Sequence, residues 1–291
     1  MRTIRTRLGS LALALVLLMS LLPVTALADP AVTENTEQEP GSNWISEADT
    51  SWYTGESSYT VDTAQELAGL ALLVNQGTES FNGKTVTLGA NIDLSGKEWT
   101  PIGGTNTGKK FEGTFEGNDQ TISNLNIAKG LTNTASNKSV GLFGACTDSA
   151  KLQNFTLHNV DVKGSLNVAA VLGGSGGAEA SITDVHVTGS IQVYGYWYVG
   201  GILGKGYSTV TDCSVEGDRA ATSYVSITGG YAGGIVGFMG EGNCKTVGCT
   251  VKDLTVSGAY NGIGGINGIL HFGNTIENCT AENVVVWQNT A

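Results

Sequence analysis

Five short segments recur along the second half of the sequence: VGLFG (140–144), AAVLG (169–173), GGILG (200–204), GGIVG (233–237) and GGING (264–268). Their closing glycines stand at 144, 173, 204, 237 and 268, in steps of 29, 31, 33 and 31 residues. Self-similarity at so regular a step marks a repeat architecture, and it limits the fold more than any other sequence feature. Each motif is followed by a second run: LQNFTL (152–157), ITDVHV (182–187), VTDCSV (210–215), TVGCTV (246–251) and IENCTA (276–281). Most repeats add a third, such as GSIQVYG or YVSITG. Three short strands per repeat, separated by turn residues, predict one rung of a three-sided β-solenoid with faces of ~17 Å.

Stacking gives the glycines a purpose. Rungs lie ~4.8 Å apart, so equivalent residues sit on one another. The two apolar residues of each motif belong to one strand, and alternation sends one of them inward. The flanking glycines are expected at or beside corners, where the chain turns with positive φ or passes close to a neighbouring rung. Glycine supplies 42 of the 291 residues and proline only 4, which suits many tight corners better than disorder.

Ahead of the repeats the chain changes character three times. Residues 1–28 carry Arg2, Arg5 and Arg7, an apolar run from Leu11 to Leu22, and small residues around Ala26-Leu27-Ala28. They read as a secretory signal peptide, since the apolar core is too short to span a bilayer. Residues 29–43 are acidic and poor in large apolar groups, and read as a flexible leader. Residues 44–127 are expected to hold an N-terminal cap and the first rungs, and 128–291 the repeat solenoid. Strands around a turn are expected near Trp44 to Tyr59. A capping helix follows: Thr63 and Glu66 form a capping box, Leu67, Leu70, Ala71 and Val74 share one face, and Gly77 stops it. Such a helix would cover strand edges that otherwise recruit other chains.

This combination resembles the GLUG-motif repeats of bacterial surface proteins, which also occur beside immunoglobulin A protease domains. The matching residues are Gly141-Leu142-Phe143-Gly144, Gly201-Ile202-Leu203-Gly204, Gly234-Ile235-Val236-Gly237 and Gly265-Ile266-Asn267-Gly268. AQELAGLALLVNQG, IDLSGKEWTPIGG and FEGTFEGNDQTISNLNI look like the lead-in to such repeats. Two departures stand out: Ala170 replaces a motif glycine, and polar Asn267 replaces an apolar residue. The resemblance implies an extracellular right-handed parallel β-helix used as an adhesive or spacer module, and it implies no catalytic residues.

The side chains narrow the function classes. The formal charge is −11, and it becomes more negative if the three signal arginines leave, with Arg219 the one arginine remaining. A nucleic-acid binder needs a basic face, so nucleic acid is excluded as a partner. Cys213, Cys249 and Cys279 occupy one place in successive repeats where Phe155 and Val185 stand earlier, which marks a core position. A disulfide involving Cys244 is the alternative for one of them, and zinc spacing is absent. No metal or cofactor is expected. Asn154, Asp184, Asp212 and Asn278 align just before that core position. Asx residues serve turns. Two carboxylates on adjacent rungs would also stand ~5 Å apart, like a retaining glycosidase pair. His158, His186 and His271 fall at non-equivalent places with no ligand spacing.

The aromatic stretch VYGYWYVGG carries the candidate binding surface. Tyr194, Tyr196, Trp197 and Tyr198 precede the third motif, Tyr231 takes the place of Tyr198 one rung on, and Tyr260 that of Tyr196 two rungs on. Such a strip either stacks on sugar rings and apolar partners or covers a corner. The reading is therefore an all-β, secreted or cell-surface β-helix with a non-catalytic binding or spacer role. Extracellular polysaccharide or surface glycan is the expected ligand, and a protein partner is expected at the open C-terminal rung. No membrane span is expected after signal cleavage. A carbohydrate-active enzyme, and a purely structural stalk, are the alternatives.

Overall fold

Apolar residues alternate with polar ones through runs such as Ser58–Val61, Thr85–Leu88 and Thr114–Glu116, and each of these becomes a strand that hides one side. The computed structural model describes residues 42–104, 108–128, 139–175, 180–228, 230–259 and 262–288. The signal and all of the leader except Ser42 and Asn43 lie outside them. Their strands form one 16-stranded and two 5-stranded sheets, and the pairings between strands are parallel. The result is a parallel β-solenoid of about seven turns with one short α-helix.

A repeat contributes five strand segments rather than the expected three. In the third repeat they are Tyr198–Gly200, Leu203–Gly206, Thr209–Thr211, Ser214–Gly217 and Tyr224–Ile227. The two long strands Lys151–Lys163 and Ser181–Gly195 explain the difference, because each runs through two corners without losing its neighbours. Three columns of short strands thereby merge into the large sheet. The first column is eight strands deep, from Ser58–Val61 to Thr275–Glu277. Its inward ladder reads Tyr59, Val86, Phe115, Leu152, Ile182, Val210, Thr246 and Ile276.

The corners do not belong to the motif glycines. Positive φ belongs to Asn154, Asp184, Asp212 and Asn278 at one corner, and to Asn159, Gly189, Asp253 and Asn283 at the next. Short Asx side chains tolerate this left-handed conformation. The motif glycines have ordinary φ, so of the two expected purposes only close approach applies. A Cβ on Gly237 would stand 2.6 Å from the Val199 amide nitrogen, and one on Gly204 2.6 Å from that of Val168. The closing glycine thus lets one five-stranded sheet lie against the backbone of the other. Within the motif, Ile235 and Val236 are both wholly buried, so the pair straddles a bend and neither points out.

The two departures from the motif also find places. Ala170 is wholly buried, so that site accepts one methyl group in its own repeat. Asn267 points into the core, where its Nδ2 donates to Thr246 Oγ1 at 2.9 Å and its Oδ1 accepts from the same hydroxyl at 3.4 Å. Two buried polar groups on neighbouring rungs satisfy each other across the interior.

At the N-terminal end the helix forms as the sequence predicts. α1, Ala64–Gln76, carries the full Thr63/Glu66 capping box, and Gly77 ends it at φ 74°. Leu67, Leu70, Ala71 and Val74 join the core. The stretch before it differs from expectation: Trp44–Glu47 is a 3-10 helix, and only Ser58–Val61 is a strand. Trp52 and Tyr53 instead join Tyr59 and Phe81 in a ring cluster, with Trp52 stacked on Phe81 at 6.0 Å. Two residues assigned to the leader, Ser42 and Asn43, are held by the fold. Asn43 bridges Glu98 and caps the 3-10 helix, and Ser42 Oγ donates to the Gly96 carbonyl.

Candidate functional site

The outward side chains of the two five-stranded sheets meet along one flank of the solenoid. Strand Tyr198–Gly200 pairs with Tyr231–Gly233, which sets Tyr198 on Tyr231. Their rings stack at 5.9 Å with an interplanar angle of 7°. Leu203–Gly206 pairs with Val236–Met239 and sets Lys205 beside Phe238. Phe238 closes onto Tyr198 at 4.8 Å and Tyr231 at 5.8 Å, and His271 packs on Phe238 at 5.0 Å. The Lys205 ammonium lies 4.8 Å from the Tyr198 ring centre and 5.2 Å from that of Phe238, within cation–π range. Burial, aided by Tyr231, pushes the Tyr198 hydroxyl above the usual phenol range.

Tyr196 and Trp197 extend this cluster into solvent. They pack edge to face at 5.8 Å, and Trp197 lies 6.2 Å from Tyr198. Both are 39% exposed, against half-buried Tyr198, Tyr231 and Phe238. Tyr194 makes no ring contact with the group. It faces outward from the preceding column, between Lys163 and Ser226. Tyr260 lies outside the described residues. Sequence reasoning missed Lys205, Phe238 and His271. The first two were findable, since each directly follows a closing glycine.

The aligned carboxylates have backbone duties. Asp184 and Asp212 hold left-handed corners at φ 53° and 52°. Asp184 Oδ1 pairs with His186 Nε2 at 3.0 Å, and His186 Nδ1 meets Ser214 Oγ at 3.0 Å. These are the residue types of an acyl-transfer triad. The backbone groups around them serve rung-to-rung pairing. His158 Nδ1 likewise meets Thr188 Oγ1 of the next rung at 3.1 Å. Arg219 donates to Asp253 Oδ1 at 2.8 Å, and that bond holds the Asp253 carboxyl below the usual range. Among the described residues no group of three or more His, Cys, Asp or Glu is placed to hold a metal, and no helix is long and apolar enough to cross a membrane.

Parallel rungs, Asx corners and close-packed motif glycines define a solenoid of glycine-motif repeats. The family model for the GLUG motif matches residues 195–219, around the third of the glycine motifs. The chain is 32% identical over 160 residues to halomucin of Haloquadratum walsbyi, a match covering 52% of this chain and 2% of halomucin's length. Its fold is similar to a crystal structure of a candidate immunoglobulin A1 protease from Bacteroides ovatus, with a TM-score of 0.51 and 19% identity. That likeness covers 84% of this chain and 82% of the other, and shows the fold.

Proposed function

We propose that this chain is a non-catalytic, extracellular, adhesin-like binding module whose aromatic flank takes extended carbohydrate. The observation that carries this reading is the exposed Tyr196–Trp197 pair, continuous with the stacked Tyr198 and Tyr231. The exposed Tyr196 and Trp197 offer apolar ring surface to a sugar, the stacked Tyr198 and Tyr231 support them from beneath, and Lys205 adds a donor beside them. A flat stacked surface suits a polymer better than a small molecule. The signal-like N-terminus and the resemblance to surface proteins support secretion.

The test is binding of the chain lacking residues 1–28 to a broad glycan array, beside a Tyr196/Trp197/Tyr198 triple-alanine variant. Circular dichroism confirms that both are folded. Specific binding lost in the variant supports the reading, and retained binding in the variant overturns the flank assignment. Silence from both overturns carbohydrate as the ligand.

A second reading concerns the last described rung. Ile276, Val285, Val286 and Trp287 are all 42% exposed or more there, beside unpaired strand edges. A protein partner that adds a strand would cover them. Crosslinking of the chain to proteins from its own culture medium, lost when Trp287 becomes Asp, is the corresponding measurement.

A further inference from the structure

The expected thiol ladder exists, and its last two members differ from the first. Thr183 pairs with Thr211, Ser214 with Thr250, and Thr250 with Thr280. That register sets Val185, Cys213, Cys249 and Cys279 on one inward line, continuing from Phe155. The three thiols share one posture. Each S–H reaches the carbonyl two residues earlier, on Thr211 at 3.2 Å, Val247 at 3.3 Å and Glu277 at 3.4 Å. Each also approaches a carbonyl of the preceding rung, on Ile182 at 3.6 Å, Val210 at 3.7 Å and Thr246 at 3.4 Å.

Geometry separates the two possible bridges. Rungs ~4.8 Å apart lie within the Cα window of disulfides, ~4.4–6.8 Å. Stacked Cβ atoms share the rung spacing, however, and a bridge draws them to ~3.8 Å, so one rung must shift by about 1 Å. Cys213 and Cys249 are buried between rungs on both sides. Their approach would strain two ladders. Cys279 is half-buried, and its rung neighbours Ile276, Ala281 and Val286 are exposed. The Cys249 amide already donates to Cys279 Sγ at 3.4 Å.

We propose that Cys249 and Cys279 form a disulfide that fastens the last described rung to the one beneath. The oxidant is a small-molecule disulfide such as oxidised glutathione. The Cys279 thiolate attacks it, forms a mixed disulfide and releases one glutathione thiolate. The Cys249 thiolate then attacks Cys279 Sγ and expels the second. Two cysteine protons go to solvent or to the released thiolates, the two cysteines are oxidised by two electrons, and one glutathione disulfide becomes two glutathione molecules. The order follows exposure: Cys279 is half-buried, whereas Cys249 is wholly buried beneath it.

The experiment treats the chain lacking residues 1–28 with oxidised glutathione at pH 8, alkylates free thiols in denaturant, and maps the peptides by mass spectrometry. The expected result is loss of two alkylation sites of five, a Cys249–Cys279 peptide, and reversal by dithiothreitol. The bridge should raise the thermal midpoint by roughly 5 °C and slow hydrogen exchange over 275–288. Cys279→Ser should abolish both effects, while Cys244→Ser should leave them. Five alkylated thiols after oxidation, or a bridge to Cys213 or Cys244, overturns the proposal. Mapping of the unsubstituted protein decides the matter even if a variant folds poorly.

Discussion

At the first turns of the solenoid, α1 buries Leu67 and Leu70 completely, and rings from Trp52 through Phe81, Phe111 and Phe143 to Phe115 and Phe155 run in contact through the core. At the last described rung, the same ladders end in exposed side chains. Val256 and Val286 are one residue type on one ladder, a single rung apart, yet exposure goes from 0% to 45%. Burial here depends on the next rung, not on the residue. The motif glycines show the same rule. A Cβ on Gly234 would stand 2.2 Å from the Gly265 carbonyl oxygen, while one on Gly265 itself meets nothing closer than 3.5 Å. The demand for glycine at this place comes from the rung that follows.

Substitutions at matched positions test this contrast. The largest difference should separate the phenylalanines. Phe111→Ala removes a wholly buried ring and should cost about 4 kcal/mol in urea denaturation. Phe272→Ala, at a ring 89% exposed, should stay within about 0.5 kcal/mol. Equal losses would mean that the last rung is covered in solution. Next come the glycines: Gly237→Ala drives a methyl group into the Val199 backbone and should cost about 3 kcal/mol. Gly265→Ala should be close to neutral by the same measurement, and a large loss there would show a rung stacked on it. Val256→Ala should cost about 2 kcal/mol and Val286→Ala a small fraction of that.

The smallest effect is on pH dependence at the first turns. Burial alone would raise the Glu79 pKa, but hydrogen bonds from Lys84, Tyr53 and the Phe81 amide outweigh it and bring the value to about 2. Phe81 sits at φ 65°, and the Glu79 carboxylate accepts its amide at 2.9 Å. A folded pKa below the unfolded one stabilises above the unfolded value, so this contribution is present above pH ~4.5 and is lost as pH falls towards 2. Glu79→Gln should flatten the fall in thermal midpoint across that window. An unchanged slope would assign acid sensitivity to other carboxylates.

Much of this was legible in the sequence because a solenoid repeats its own instructions. The step of the closing glycines located the rungs, the Thr63/Glu66 pair located α1, and the Phe155–Cys279 alignment located an inward ladder. Three things were hidden, each for a physical reason. Five strand segments per rung look like three runs because a residue in the left-handed region turns the chain while strand pairing continues, and only the spacing of buried positions changes there, as from Leu152 to Phe155. Ile235 and Val236 are both inward because a bend resets the period of two between them. Lys205 and Phe238 belong with Tyr198 only after the bend within each motif folds one short sheet against the next. The aromatic spine of the first turns hid Trp52 and Tyr53 as strand residues, since β-propensity and core-capping favour the same side chains.

The rung-to-rung hydrogen bonds run along the long axis, with the strands lying across it. Tension applied between the two ends therefore loads every rung in series rather than shearing strands past one another. Such a rod yields one turn at a time, each at the force of a few hydrogen bonds opened like a zip. Where peeling starts at the last described turn, a covalent link there would move the first point of failure one coil inward.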